Sequence, residues 1–316
     1  GSFSVGVNGN NVTLTDGAGN TAVGDITGDG IADLILSGNS ERAYAVLFGD
    51  PSAAEADYFD NASQYDPEET VNGVTLGDAN GDGRLDIFGF AGSFVLIKAN
   101  LGNDVFTVPE VSLGGTAGDG SELPDRALSG DLDGAGQAAA VLFKPDGNDD
   151  NFRVKFGTKG RLATDILDLD TDFSTLIAGT LADTDGDGDL DIVLFGDDGS
   201  RNQVQVFRND GDRNFTKFSA GNIAGNMFAI NDVWSGNLNA GTKQDIVLAD
   251  ADSERIVILT GLGTGNVTLI DRVRLGTDIF DIEVADMDGD GDNDLVLATA
   301  GGVSTLVEEG NFLYES

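Results

Sequence analysis

The chain has 316 residues, 17 of them basic and 55 acidic, giving a formal charge of −38, and it contains neither His nor Cys. That charge opposes nucleic-acid phosphates and anionic lipid surfaces. The two missing residue types exclude disulfides, thiolate nucleophiles, Cys-ligated zinc and the commonest general base. The length allows a sizeable core, and no apolar run of about 18 residues is present, so no membrane insertion by a helix is expected.

Acidic residues divide unevenly, with 44 Asp against 11 Glu. A generally solvated acidic surface would use Glu freely, whereas excess Asp points to turns and oxygen-ligand loops. A salt-adapted proteome would also be rich in Asp and poor in Lys (6 here), which bears on the Asp outside the loops. Gly is abundant at 46 and Pro scarce at 5, which fits neither collagen nor a Pro-rich linker, and an apolar content of 40% argues against disorder.

In chain order, one pattern returns six times, over residues 25–33, 78–86, 131–139, 183–191, 237–245 and 286–294. The first residues of these loops (Asp25, Asp78, Asp131, Asp183, Asn237, Asp286) are separated by 53, 53, 52, 54 and 49 residues. A period of that length running through the chain means one repeating architecture and a single domain over 1–316. Each period has an apolar stretch entering the loop, such as Thr21-Ala22-Val23, and a β-rich run leaving it, such as Ile192-Val193-Leu194. A third strand follows a polar turn (Val204-Gln205-Val206-Phe207), and a fourth closes the period (Val267-Thr268-Leu269-Ile270). Helical periodicity is confined to Ser52–Phe59.

Four antiparallel strands repeated six times predict an all-β fold, a six-bladed β-propeller of four-stranded blades. Two early strands, Phe3–Val7 and Val12–Thr15, precede the first loop, and the last loop is followed by two strands, Leu295–Ala298 and Val303–Glu308. The N-terminal strand is therefore expected to complete the last blade and close the ring, removing an open edge. The alternative, seven blades, would need a blade without a recognisable loop.

The loops carry the chemistry. In the fourth, Asp183, Asp185, Asp187 and Asp191 supply carboxylates at positions 1, 3, 5 and 9, and Asp189 offers a backbone carbonyl at position 7. An oxygen-only set of this kind suits a hard cation, calcium rather than zinc or copper. Carboxylates about 5 Å apart repel by roughly 3 kcal/mol at an effective dielectric near 20, so four in one turn call for a divalent ion. An EF-hand would need a carboxylate at position 12, where Gly89, Leu194 and Leu297 stand.

The segments Asp25–Asp33, Asp78–Asp86, Asp183–Asp191 and Asp286–Asp294 resemble the calcium loops of FG-GAP (VCBS-type) repeats. Those repeats build integrin α-subunit propellers and many secreted bacterial ones. The first repeat, ending in AYAVLFG at Gly49, is similar to the family's full unit with its terminal Phe-Gly. The resemblance covers essentially the whole chain. It implies loops that join the first two strands of each blade, on the face opposite the usual ligand surface.

The six copies differ. The fourth and sixth are complete, the sixth with Asp286, Asp288, Asp290 and Asp294 and the Asp292 carbonyl. The second has Asp78, Asn80, Asp82 and Asp86 with the Arg84 carbonyl, and the first has Asp25, Thr27, Asp29 and Asp33 with the Ile31 carbonyl. The third keeps Asp131 and Asp133 but has Ala135 and Ala139, and the fifth offers Asn237, Asn239, Gly241 and Asp245. The expectation is three strong calcium sites, a weaker fourth at the Thr27 loop, and two loops empty or weakly filled.

No catalytic constellation stands out. A Ser–His–Asp triad and an HExxH site are impossible without His, no carboxylate pair separates itself from the loops, and Tyr44, Tyr58, Tyr65 and Tyr314 have no partner pattern. The expected function is a non-catalytic extracellular calcium-binding module for adhesion or recognition. The alternatives are a lectin-like propeller and, behind it, a polysaccharide-active domain. A protein or glycan ligand would sit opposite the loops, on Asn61–Gly73, Gly114–Asp125, Lys144–Asn151 or the turn with Asp197, Asp198 and Arg201, while Trp234 reads as core. Gly1-Ser2 reads as a cloning remnant, and the chain is expected to be a monomeric module of a larger protein that is secreted or at the cell surface.

Overall fold

The computed structural model describes residues 3–7, 10–14, 18–38, 44–49, 59–65, 71, 73–91, 94–102, 106, 110–113, 126–143, 151–158, 161–162, 167–197, 199, 202–222, 230–238, 241–250, 254–285, 293–308 and 314–315. Residues 52–58 of the expected short helix lie outside them, and Phe59 opens a strand, Phe59–Tyr65. Among the described residues no helix is long and apolar enough to cross a membrane.

Alternating apolar and polar residues between Asp/Gly-rich turns fold into strands, and these assemble in chain order into antiparallel four-stranded sheets. The chain divides into two compact units, the first holding residues 1–144 and 151–170, the second Thr171–Ser316 with 145–150.

In the first unit, one sheet is Ala18–Gly24, Asp33–Gly38, Tyr44–Gly49 and Phe59–Tyr65. The second is Gly73–Gly77, Asp86–Ala91, Phe94–Lys98 and Glu110–Leu113. The third is Arg126–Gly130, Ala139–Phe143, Asn151–Lys155 and Leu167–Asp170. In the second unit, the fourth sheet is Thr175–Ala182, Asp191–Asp197, Asn202–Asn209 and Phe215–Asn222. The fifth is Ile230–Gly236, Asp245–Asp250, Arg255–Gly261 and Val267–Arg274. The sixth is Ile279–Ala285, Asp294–Thr299, Gly302–Glu308 and Tyr314–Glu315.

Within each unit the sheets stack face to face in chain order. In strand Asp245–Asp250, Ile246 and Leu248 join Val193, Phe195, Val204 and Val206 of the fourth sheet. Their neighbours Val247 and Ala249 turn the other way, onto Ile282, Leu295, Leu297 and Leu306 of the sixth. A strand covered on both faces reads as an unbroken apolar run, whereas the outer strand Val267–Arg274 is buried chiefly at its start. In the first unit, Ile35, Val46 and Phe48 pack on Val74, Ile87 and Leu96. Phe88, Phe90, Val95 and Ile97 pack on Ala138, Ala140 and Leu142. Trp234 lies at the fifth–sixth core, as its sequence context suggested.

The N-terminal strand departs from expectation. Phe3–Val7 pairs with Asn10–Leu14, Phe3 opposite Leu14, and this hairpin lies against Phe59–Tyr65 of the first sheet. The sixth sheet takes its fourth strand from Tyr314–Glu315, paired with Val307 and Glu308. A hairpin between segments so near in sequence has a small loop-closure cost, which favours it over a partner at the far end of the chain. The expected link Asn61–Gly73 is also shorter, since Asn61–Tyr65 completes the outer strand of the first sheet.

Candidate metal centre

Each loop joins the first and second strands of its sheet, so the loops of one unit share one edge of the stack. Consecutive loops are tied together. The Ala138 amide donates to the Asp78 carbonyl at 2.6 Å, Gln244 N to Asp183 O at 2.8 Å, and Asn293 N to Leu238 O at 3.2 Å.

The position-1 carboxylate organises its own loop. Asp78 Oδ1 accepts from the amides of Asn80, Gly81 and Asp82, at 3.2, 2.6 and 3.2 Å, and its Oδ2 accepts from Gly83 at 2.6 Å. Asp25 takes the amides of Gly28, Asp29 and Gly30, and Asp183 those of Gly186 and Gly188. Wrapping successive amides around one carboxylate requires a left-handed backbone at positions 4 and 6. Gly186 and Gly188 have φ of 84° and 98°. Burial pushes the Asp25 carboxyl up, but the amides of Gly30, Gly28 and Asp29 outweigh it and hold it below the usual carboxylate range.

The position-5 carboxylates bend back onto position 7. Ile31 N donates to Asp29 at 2.8 Å, Arg84 N to Asp82 at 3.0 Å and Asp189 N to Asp187 at 2.9 Å. In the second loop the Arg84 guanidinium also meets Asp82 Oδ2 at 2.5 Å and donates from Nε to the Asn100 carbonyl. Position 3 varies. The Thr27 hydroxyl donates to Asp25, and Asn80 Oδ1 is buried with no hydrogen-bond donor facing it. An acceptor left without a donor is costly, and it suits a cation.

In the fourth loop, Asp183, Asp185 and Asp187 converge, with one carboxylate oxygen from each lying within 4.8 Å of the others. Burial raises the Asp185 carboxyl, and the charges of Asp187 and Asp183 add to the rise. Three oxygens at that spacing could hold a metal ion, and no nitrogen or sulfur donor stands among them. At position 7 the backbone amides of Asp189, Ile31 and Arg84 are the groups bonded within the loop. Asp286, Asp288, Asp290 and Asp292 of the sixth loop, and Asn239 of the fifth, lie outside the described residues.

Position 9 is buried at the base of the loop. Asp33, Asp86, Asp191, Asp245 and Asp294 are each no more than 1% exposed. Asp191 accepts from the Thr184 amide at 3.0 Å, from the Thr184 hydroxyl, and from Asn209 N at 2.8 Å. Asp86 likewise accepts from Ala79 N and Asn100 N, and Asp33 from Ile26 N, Thr27 N and Gly49 N. These carboxylates staple the base of the loop to the end of the third strand, at its last residue Gly49 or Asn209 or, in the second sheet, at Asn100 just beyond it. Burial pushes Asp86 and Asp191 up to about 6 against the amides that lower them. The fifth loop keeps Asp245, bonded to Leu238 N at 3.1 Å, although its positions 1, 3 and 5 carry no carboxylate. That retention fits a staple.

Sequence reasoning passed over Asn100 and Asn209, which support the loops from the third strand. Besides donating to the position-9 carboxylate, each donates from Nδ2 to the position-8 carbonyl, Leu85 or Leu190, at 3.2 Å. The signal was the terminal Phe-Gly, since Gly49 occupies the same place. A Cβ on Gly49 would stand 2.6 Å from the Ala32 carbonyl oxygen and from Ile31 Cγ2. At the opposite edge, the Asp197 carbonyl accepts from Ser174 N at 2.6 Å and its carboxylate from Gly199 N. Asp198, Arg201 and residues 66–70, 114–125 and 144–150 of the expected ligand surface lie outside the described residues.

No protein-family model matches the chain, and no curated protein matches it. Among solved structures, an Agrocybe aegerita lectin that recognises non-reducing terminal N-acetylglucosamine is similar at 18% identity and a TM-score of 0.59, over 94% of this chain and 79% of the lectin. BBS1N, solved in complex with ARL6DN, is similar at 12% identity and 0.54, over 92% of both chains. The Photorhabdus luminescens Tc holotoxin matches at 18% and 0.51, over 94% of this chain and 15% of the toxin chain. At these identities the likeness is one of fold, and the chain is an all-β protein of propeller-like architecture.

Proposed function

We propose that this chain is a non-catalytic, extracellular β-propeller module of the FG-GAP/VCBS type, with six blades in one ring and calcium bound in the loops as a structural ion. The convergence of Asp183, Asp185 and Asp187 carries the reading. The orphaned Asn80 Oδ1 supports it at the second loop. Asp183 and Asp185 would hold the ion together with Asp187 and the Asp189 carbonyl, and the ion would supply charge neutralisation and cross-linking of the turn. Extracellular calcium modules bind at about 0.1–1 mM, so at tenfold excess each filled site adds about 1.4 kcal/mol. Several such sites would stabilise a self-repelling chain of charge −38. The test is thermal unfolding in calcium and in chelator. A drop of several degrees or more in chelator supports the reading, and an unchanged melting temperature removes it.

For the ligand, carbohydrate is the first class to test, because a lectin for terminal N-acetylglucosamine shares the fold. The candidate surface is the edge opposite the loops, which includes Ser174, Asp197 and Gly199. A glycan array in calcium separates the readings. Discrete saccharide hits favour a lectin, and their absence together with cell or matrix binding favours a protein-adhesion module.

A further inference from the structure

The third and fifth loops lack the carboxylates for a cation site, yet the third keeps the loop backbone. In the third, Asp131 accepts from Asp133 N and Gly136 N, and Gly134 and Gly136 have φ of 65° and 73°. Each of these two loops directly follows a loop that has the carboxylates, and each meets that loop in the same way. A Cβ on Gly81, position 4 of the second loop, would stand 3.2 Å from the Gly136 carbonyl oxygen and 3.3 Å from Gln137 Cγ. A Cβ on Gly186, position 4 of the fourth, would stand 3.1 Å from Thr242 Oγ1 and 3.3 Å from Lys243 Cγ. In both, the neighbour's position-8 amide donates to the position-1 carbonyl, from Ala138 to Asp78 and from Gln244 to Asp183. The first loop is followed by one that is not degenerate, and a Cβ on Gly28 would meet nothing within 4 Å.

The fourth loop has one contact more. Gln244 Oε1 accepts from Asp183 N at 3.0 Å while Gln244 N donates to Asp183 O, so one residue of the fifth loop holds both backbone groups of Asp183. The Thr184 carbonyl beside it accepts from Gly263 N at 3.4 Å, again from the fifth sheet. Asp183 is the carboxylate around which its loop is wrapped. Fixing its backbone from outside fixes where the three converging oxygens stand before any ion arrives, which lowers the ordering cost of binding.

We propose that the third and fifth loops are buttresses that set the ligand geometry of the second and fourth, with Gln244 the positioning residue for Asp183. This rests on the calcium reading above. It also explains why the third loop keeps a ligand loop's shape without the ligands: its function is to present positions 6 to 8 to the preceding site.

The test uses the full chain as wild type, Gln244→Met and Gln244→Glu, titrated with calcium chloride while the amide resonances of Gly186 and Gly188 are followed. Gly28 and Gly30 of the first loop, which Gln244 does not hold, serve as an internal reference. Methionine keeps the length but removes the acceptor. Half-saturation at Gly186 and Gly188 is then expected to rise about fivefold or more, with Gly28 and Gly30 unmoved. Glutamate keeps the acceptor oxygen and is expected to hold the wild-type affinity or improve it. Equal affinity in Gln244→Met overturns the proposal, as does a loss in Gln244→Glu matching that in Met, or a matching loss at Gly28 and Gly30. Wild-type resonances at Gly186 and Gly188 that ignore calcium would instead remove the cation reading of the fourth loop, and this inference with it.

Discussion

The Thr180 hydroxyl lies 2.8 Å from that of Ser235, 55 residues away on the first strand of the next sheet, and Ser235 Oγ also donates to the Leu181 carbonyl at 2.8 Å. Thr75 and Ser129 repeat the pair at 3.1 Å, with Ser129 Oγ donating to Leu76 O. At the equivalent places between the first and second sheets, and between the fifth and sixth, stand Ala22 with Leu76 and Trp234 with Val284, packed in the cores. Polar clasps and apolar contacts therefore do the same work of joining first strands. Ser235→Ala is expected to lose about 1 kcal/mol in urea unfolding. Combining it with Thr180→Val should cost less than the two single losses added, because both remove one interaction. Strict additivity would show that the two hydroxyls are energetically independent.

Asp185 and Asp191 sit in one loop but answer to different physics. Asp191→Ala strands the Thr184 and Asn209 amides in the interior and is expected to cost about 3 kcal/mol with or without metal. Asp185→Asn removes a carboxylate that its neighbours oppose, so the metal-free chain should be no less stable, while calcium affinity at that loop falls about tenfold or more. Unfolding in chelator together with a calcium titration separates the two. If Asp191→Ala unfolds like wild type in chelator, the staple is wrong.

The period, the four strands per repeat and the loop positions were legible because each is local: spacing, alternation and turn residues suffice. Three features were not. The partner of Phe3–Val7 is a choice between distant and near strands, which alternation does not encode. Spacing places Asp33, Asp86 and Asp191 at position 9 but says nothing of which way they turn, and burial at the second strand's start turns them inward. Gln244 acts on a loop 61 residues away through sheet stacking, so its function has no signature within its own repeat. The polar segment Asn61–Tyr65 reads as a link because outer strands need little apolar content.

The Phe-Gly ending has a steric reason that predicts a mutational asymmetry. Gly49 lies under residues 31 and 32 of its loop, and Gly157 lies 2.7 Å, measured from its would-be Cβ, from the Ala138 carbonyl oxygen. Backbone cannot yield as a flexible side chain does, so Gly49→Ala and Gly157→Ala should each cost about 1–3 kcal/mol. Asn100 and Asn209 occupy the same place in the second and fourth sheets, where their amides are bonded. Asn100→Gly is therefore expected to lose the bonds to Leu85 O and to Ile26 O without relieving any clash, and to destabilise as well. Urea unfolding of the three variants checks the pattern, and a neutral Gly49→Ala would break it.

Stability of the metal-free chain should fall as pH rises. Asp86 and Asp191 are pushed up to about 6 by burial, while an unfolded Asp carboxyl titrates near about 3.9. Between those values these two groups bind more protons in the folded chain than in the unfolded one, so their contribution to stability is greatest below about 4 and is lost progressively as pH climbs through about 6. A chain stripped of metal and dialysed is expected to melt higher at pH 5 than at pH 7.5. In millimolar calcium the order should reverse, because protons compete with the ion for the same loops. Asp191→Asn should shrink the metal-free difference, since one of the two titrating groups is gone. A metal-free melting temperature that stays flat from pH 5 to 7.5 would mean that these buried carboxyls remain ionised at no cost, and the burial argument for position 9 would fail with it.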